Sequence, residues 1–328
     1  MHSRPAAGVG LALLAAFTFA TSGTFARSLV EAGWSAESAV IARVGVAALV
    51  LAIPALLSLR GKWHVLRSNA TAIGLFGLLG VALAQVCFFN AVRYLPVGVA
   101  LLLEYLGIIL VVVWMWLRHA QPPRRLTVAG SVAALAGLAF VLDLAGTADF
   151  HPVGVLWGLG AAFGLAGYFV LAGQVDPRLP SVAMASGGMA VGAAVLLLVG
   201  LTGLLPLHAT FGEVTFAGQP TSWLVPIAGL SLVAAVIAYL AGIAGSRILG
   251  PRLSSFVGLA EVLFAVLIAW LFLDELPTGW QLFGGTLIVA GVALVRLDEL
   301  RRPAALDVPA SRPVPATSAR PEVAVDGR

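Results

Sequence analysis

The sequence predicts an all-α integral membrane protein with ten transmembrane helices, built as two inverted five-helix repeats. Three observations predict it. The 328-residue chain is 60% hydrophobic and only 10% charged, where a soluble domain carries about 25% charged residues. Its apolar residues fall in runs of bilayer length. Its second half echoes its first.

Composition sets the solvent. A chain this apolar cannot hide from water, because even a large domain leaves much of its area exposed. Lipid must therefore surround most of it, and the plasma (inner) membrane is the expected location. A bilayer takes roughly 20 apolar residues per helix, within about 17–25. On that measure the spans are 8–29, 36–59, 69–92, 96–117, 126–143, 153–173, 180–203, 222–245, 252–273 and 279–296. Short separators with helix breakers divide them, such as "QPPRR", "DPRLP" and "DELPTG"; the one long connection, 204–221, carries Pro206, Gly212, Gly218 and Pro220. Spanning strands are excluded, since they would be about 10 residues long and alternate apolar with polar. The first run, from about Ala6 to Leu29, is too long for the core of a cleaved signal peptide and is expected to stay as a helix.

Lys and Arg set the orientation. With the N-terminus cytoplasmic, the inner segments hold Arg4; Arg60, Lys62 and Arg67; Arg118, Arg124 and Arg125; Arg178; Arg247 and Arg252; and the arginines from Arg296 onward. The outer side keeps Arg93, with Arg27 near a helix end, while Arg43 lies inside a span. Both termini are thus expected inside. The net charge of +4 is scattered through short loops, so no nucleic-acid partner is expected. From Leu297 on, the chain is rich in Pro, Ala and charge. It is expected to be a disordered cytoplasmic tail, lacking the apolar area to offset its ordering entropy.

The repeat is carried by "RLTVAGSVAALAGLAFVL" (125–142) and "GWQLFGGTLIVAGVALVR" (279–296). An offset of 154 places Gly130 on Gly284, Gly137 on Gly291 and Arg93 on Arg247, and Glu104 and Glu261 correspond within three residues. The units are 1–143 (helices 1–5), 153–296 (helices 6–10) and the tail 297–328. Five is odd, so the second copy enters the membrane from the other side. Loop charge agrees: the loop before helix 5 is "RHAQPPRR", and that before helix 10 is "DELPTG". Inverted repeats are common among secondary transporters, whose substrate site lies near the midplane between the copies.

Intramembrane polar groups then mark the candidate site. Within "LPVGVALLLEYLGIILVVVW" (95–114) stands one carboxylate, Glu104, at an insertion cost of about 2.5–3.5 kcal/mol. Counted from the helix starts, Glu104 lies about 12 Å deep, Glu261 about 15 Å from the opposite face and Arg43 about 10 Å deep. Arg43 is expected to partner Glu104, either as a lock between helices 2 and 4 or as part of the substrate site. Helix 7 offers Glu261 no such Arg, which would suit an acid that takes up and releases a proton during transport. Tyr105, Gln85, Asn90, Tyr168 and Tyr239 are further candidates to bind substrate or couple it, beside Thr21 and Ser22; each has an alternative as an interhelical hydrogen bond or a tilt anchor. Trp114, Trp116, Trp157, Trp223 and Trp280 are expected at the interfaces. The glycines of helix 6, Gly154 to Gly167, are expected to serve packing, Cys87 to be a small core residue, and Asp274 with Glu275 to cap helix 10.

Absent motifs narrow the class. The sequence has no GxxxxGK[ST], HExxH, CxxC pair or GxSxG, so neither ATP hydrolysis nor enzyme chemistry is expected. Its five His are dispersed, and no metal or cofactor is expected.

Two stretches carry a resemblance. "RLSSFVGLAEVLFAVLIAWLFLDELPTGWQLFGGTLIVAGVALV" (252–295) resembles the end of an EamA domain of the drug/metabolite transporter superfamily. "AVRYLPVGVALLLEYLGIILVVVW" (91–114) resembles the matching helix 3–4 region, closest to the threonine/homoserine exporter branch. The resemblance implies ten helices in two inverted EamA repeats with both termini cytoplasmic. It also implies an ion-driven permease for efflux or exchange of small metabolites, commonly amino acids, or drugs. Val262 follows Glu261 where members often have Pro, and Ile108 stands where the exporter branch often has Pro, so both helices are expected to be less kinked. Proton-coupled transport of a small molecule is the expectation. The alternatives are a gradient-independent facilitator or channel, a nucleotide-sugar or sugar-phosphate carrier of the same superfamily, and an intramembrane enzyme or scaffold. The oligomer is left as monomer or homodimer.

Overall fold

Where water is absent, every backbone N–H and C=O must bond within the chain, so uncharged runs of Leu, Val, Ala and Gly wind into helices. The structure is a computed structural model, which describes residues 3–95, 97–142, 151–273, 276 and 278–301. Its helices are α1 (Ser3–Ala20), α2 (Ser22–Glu31), α3 (Ala36–Ser58), α4 (Trp63–Ser68), α5 (Ala70–Leu75), the π-helical segment π1 (Phe76–Leu83), α6 (Ala84–Ala91), α7 (Val97–Tyr105), α8 (Gly107–His119), α9 (Arg125–Val141), α10 (Pro152–Gln174), α11 (Ser181–Leu201), α12 (Leu224–Ala228), the π-helical segment π2 (Gly229–Ile237), α13 (Ala238–Gly258), α14 (Ala260–Leu273) and α15 (Gly279–Leu300). Among the described residues, eight helical stretches are long and apolar enough to cross a membrane, and α9 is a shorter apolar helix. One of the eight, Leu224–Gly258, runs for 35 residues. It is broken at Gly250, whose φ of 77° favours a residue without Cβ. Outward faces carry large aliphatic side chains, among them Leu49, Ile53, Leu117 and Leu156, each more than two-thirds exposed. A soluble protein would bury such a surface; here it faces lipid.

The packing pairs related elements. α9 lies along α15, and α3 along α11. α1 packs on α13, while α10 packs on π1, α6, α7 and α8. α9 and α15 run antiparallel, for Gly130 meets Gly291 and Gly137 meets Gly284. The two π-helical segments are related in the same way: the 154-residue offset carries Phe76–Leu83 onto 230–237, and π2 occupies Gly229–Ile237.

Two expectations need correction, in the connection between α11 and α12 and at the end of the last helix. The chain between α11 and α12 holds an antiparallel hairpin, β1 (Glu213–Phe216) and β2 (Gln219–Ser222), turned by Ala217 and Gly218, both at positive φ. Two successive positive-φ residues suit the twist of a two-residue hairpin. The last helix ends later than expected, since α15 continues through Leu297 to Leu300. Within that last turn Asp298 accepts a 2.6 Å hydrogen bond from Thr127 Oγ1, and Glu299 lies 3.5 Å from Arg252. Residues 302–328 lie outside the described residues. Helices 4 and 9 are interrupted without proline. At Leu106 and Leu259 the backbone tightens to N–H bonds three residues back, onto Leu103 and Phe256, and both breaks lie two residues from a carboxylate. Trp223, at the start of α12, packs on Trp34 and Phe211. Asp274 and Glu275 lie outside the described residues; the start of α15 is capped by Thr278 and Gln281 in a reciprocal pair of hydrogen bonds.

The bundle is tied at both ends. At the hairpin end, Trp34 Nε1 donates to Thr210 O at 2.6 Å, Thr210 Oγ1 donates to Ala32 O at 2.6 Å, and Phe25 stacks on Phe216. At the arginine-rich end, two arginines flank the break at Gly250. Arg247 donates to Leu179 O at 2.7 Å and Arg252 to Gln121 O at 2.8 Å.

Candidate functional site

A cavity of about 340 Å³ lies inside the bundle, a size within the ordinary range for small-molecule sites. It is lined from α1, α2, α3, π1, α6, α7, α10, π2, α13 and α14, and by no residue of α9, α11 or α15. α9 and α15, which cross each other, and α11, which lies behind α3, stand outside the cavity wall. Interrupted elements reach it from both halves: π1 contributes Gly80, π2 contributes Leu230, and α7 and α14 contribute Glu104 and Glu261 beside their breaks. Unwound turns of this kind are tolerated at membrane depth where they line a cavity.

Seven of the eight candidate residues line it: Arg43, Gln85, Glu104, Tyr105, Tyr168, Tyr239 and Glu261. Ser22 lines it too, while Thr21 donates back to Thr18 O. Asn90 does not. It is 97% buried, its Nδ2 donates to Val86 O at 2.8 Å, and its Oδ1 accepts from Arg93. It serves the helix end, where an amide can satisfy a carbonyl one turn back.

The charges are arranged differently from expectation. The Arg43 guanidinium interacts electrostatically with Glu261 and Tyr239, and Glu261 in turn with Arg43. The Tyr105 hydroxyl also reaches Glu261. Arg43 lies within ion-pair distance of neither Glu104 nor Glu261; its electrostatic interaction is with Glu261, and the charged neighbour of Glu104 is Glu261, which repels it. Equal depth along two helix axes therefore did not decide which carboxylate Arg43 faces. Arg43 is 93% buried, its Nε has no hydrogen-bond partner, and its guanidinium carbon lies 5.8 Å from the centre of the Phe19 ring.

Aromatic rings form much of the remaining wall. Tyr168 meets Tyr239 edge-on at 5.6 Å, Phe19 meets Tyr239 at 5.2 Å, and Tyr168 meets Phe169 at 5.0 Å. The Tyr168 hydroxyl is buried without a hydrogen-bond partner. Phe19, Phe88, Phe89 and Phe169 were not singled out from the sequence. Gln85, Phe88 and Phe89 stand at i, i+3 and i+4, one helical face, and that spacing could have found them. The glycines of helix 6 face neighbouring helices as expected: a Cβ on Gly164 would lie 2.6 Å from Ala84 N. Cys87 is buried, close to Gly160. Among the described residues no group of three His, Cys, Asp or Glu is placed to hold a metal ion.

Comparison with known proteins agrees with this architecture. A solved crystal structure, described only as that of a protein, is similar with a TM-score of 0.72 at 22% identity, covering 90% of this chain and 99% of its own. At that identity the likeness shows the fold alone. Protein PecM of Dickeya dadantii (strain 3937) is 24% identical over 263 residues, which span 76% of this chain and 82% of PecM. The EamA-like transporter family matches twice, at residues 6–143 and 152–297. The chain therefore belongs to the EamA-like transporter family, as a multi-pass membrane protein.

Proposed function

We propose that this transporter is a proton-coupled secondary carrier that exports or exchanges small metabolites, such as amino acids, or drugs across the inner membrane by alternating access. The observation that carries the proposal is one cavity shared by both halves of the chain. Arg43, Glu104 and Tyr105 come from the first half, and Tyr168, Tyr239 and Glu261 from the second. An ionisable residue at membrane depth marks a transport or proton pathway by default. A cavity at the interface of two repeats is where alternating access needs it.

Ten spans fit the helices described. The break at Gly250 divides helix 8 from helix 9, and α9 is helix 5. The matched π-helical segments and the antiparallel contact of α9 with α15 support an inverted relation between the halves. The arginine-rich loops support a cytoplasmic side for both termini.

Flux in proteoliposomes with an imposed pH gradient tests the proposal. Wild-type protein is expected to drive solute against its gradient when the opposite compartment is acid, and Glu104→Gln is expected to abolish that drive. Full gradient-driven flux in Glu104→Gln would show that the coupling role is misplaced.

A further inference from the structure

Charge balance inside the cavity selects its cargo. Three groups in the wall can carry full charge: Arg43, Glu104 and Glu261. The single cation interacts electrostatically with Glu261, which the Tyr105 hydroxyl also reaches, and not with Glu104. Glu104 is left over. The titratable groups that face it are Glu261 from α14, Tyr105 from its own helix, Tyr239 from α13 and Cys87 from α6. None of these brings a positive charge. Glu104 has no hydrogen bond or ion pair to any described residue, yet it lines the cavity. A second unsatisfied group lines the same space: Tyr168 is 94% buried and its hydroxyl has no partner. The same cavity wall carries the rings of Phe19, Phe88, Phe89 and Phe169. A carboxylate in a cavity walled by aromatic rings is the chemistry that recognises an ammonium group, by ion pairing and by cation–π attraction.

We propose that the cavity binds organic monocations, protonated amines or quaternary ammonium ions with an apolar body, with the positive nitrogen on Glu104, and exchanges each one for a single proton. The proposal rests on the transporter reading above and names its cargo and stoichiometry. Arg43 and Glu261 cancel in every state. On one passage Glu104 carries the ammonium ion, and on the return it carries a proton. The cavity thus crosses with the same net charge both ways, and the exchange moves no net charge. A sugar phosphate or other anion would meet Glu104 and Glu261, two like charges against the one cation Arg43.

Three probes that share a phenyl body separate the possibilities: phenethyltrimethylammonium, phenylalanine and 3-phenylpropionate. Binding to the purified full chain is followed by tryptophan fluorescence. The ammonium ion is expected to bind at least tenfold tighter than the other two, and Glu104→Gln to weaken it at least tenfold. Circular dichroism and thermal unfolding check that Glu104→Gln is folded, and Glu104→Asp is expected to restore part of the affinity. Flux of the same cation is then measured in proteoliposomes against protein-free vesicles. One pH unit should sustain about tenfold accumulation. A potassium–valinomycin potential of 100 mV should change it less than twofold, whereas a step moving one net charge would respond on the order of 50-fold. Equal or tighter binding of phenylalanine or phenylpropionate, absence of ammonium binding, or full affinity in Glu104→Gln overturns the cation site. A potential-driven flux overturns the electroneutral exchange. Flux of the bound cation that ignores the pH gradient overturns the coupled-carrier reading instead, with the Glu104 site standing.

Discussion

Gly137 and Gly284 cross with backbone against backbone. A Cβ on either would lie 2.5 Å from the carbonyl oxygen of the other. Gly130 and Gly291 repeat the contact, at 2.7 and 2.6 Å. Under the 154-residue offset Gly130 corresponds to Gly284 and Gly137 to Gly291. Exchanging the halves therefore turns each contact into the other, as a two-fold axis between antiparallel helices requires. In lipid, close approach through small residues replaces the hydrophobic drive that holds helices together in water.

The first prediction follows from that crossing. Gly130→Ala, Gly137→Ala, Gly284→Ala and Gly291→Ala should each destabilise by about 1–3 kcal/mol, the usual cost of overpacking. Because the contacts are reciprocal, the four losses should be of similar size. Gly10 and Gly45 have open space where a Cβ would go, so their Ala variants should be neutral or slightly stabilising. Thermal unfolding in detergent reads the difference. Equal losses at crossing and control positions would remove the backbone contact from the account.

The partner of Arg43 can be identified by compensation. Arg43→Met strands the Glu261 charge, and Glu261→Gln strands Arg43; each should cost about 3–5 kcal/mol, as breaking a buried pair does. The double variant Arg43→Met/Glu261→Gln should recover much of that loss, while Arg43→Met/Glu104→Gln should not. Recovery with Glu104→Gln alone would transfer the partnership to Glu104.

Thr127 and Asp298 join α9 to the last turn of α15 in a buried hydrogen bond of 2.6 Å. Hydrogen bonds to a charged group contribute about 1.5–3 kcal/mol. A double-mutant cycle with Thr127→Val and Asp298→Asn should show coupling of about that size. Additive losses would mean that Asp298 contributes nothing through Thr127.

The turn between α10 and α11 offers a test by pH. Arg178 binds the Asp176 carboxylate through side-chain and backbone hydrogen bonds and holds it down to about 2. Its unfolded value is about 3.9. The folded value is the lower of the two, so the contribution is fully present above about pH 4 and is lost as pH falls through about 2. Arg178→Gln should be less stable than wild type at pH 5, and the gap should close near pH 2. A gap that stays constant with pH would deny the pairing.

Much of this arrangement was legible in the sequence, for reasons that differ from residue to residue. Apolar length reveals a span because the bilayer has a fixed thickness, and the acids stand out because lipid penalises them. Depth along a helix follows from rise per residue, which is why Arg43, Glu104 and Glu261 could be placed at one level. The direction a side chain faces depends on how each helix is rotated against its neighbours, and nothing in a single chain fixes that. Hence Arg43 interacts with Glu261 and not Glu104, and Asn90 turned away from the cavity to its own helix. The hairpin at 213–222 was hidden because each strand is only four residues long, and the second, QPTS, carries a proline and no aliphatic or aromatic residue. The π-helical segments were hidden because Phe76–Leu83 and Gly229–Ile237 are as apolar as their flanks.

Those paired segments bear on ancestry. A π-turn holds more residues than an ordinary one, so it is the trace left when a helix absorbs an insertion without losing its ends. Both copies carry that trace at the same address. A single insertion into a half-length ancestor, before the gene was doubled, accounts for both.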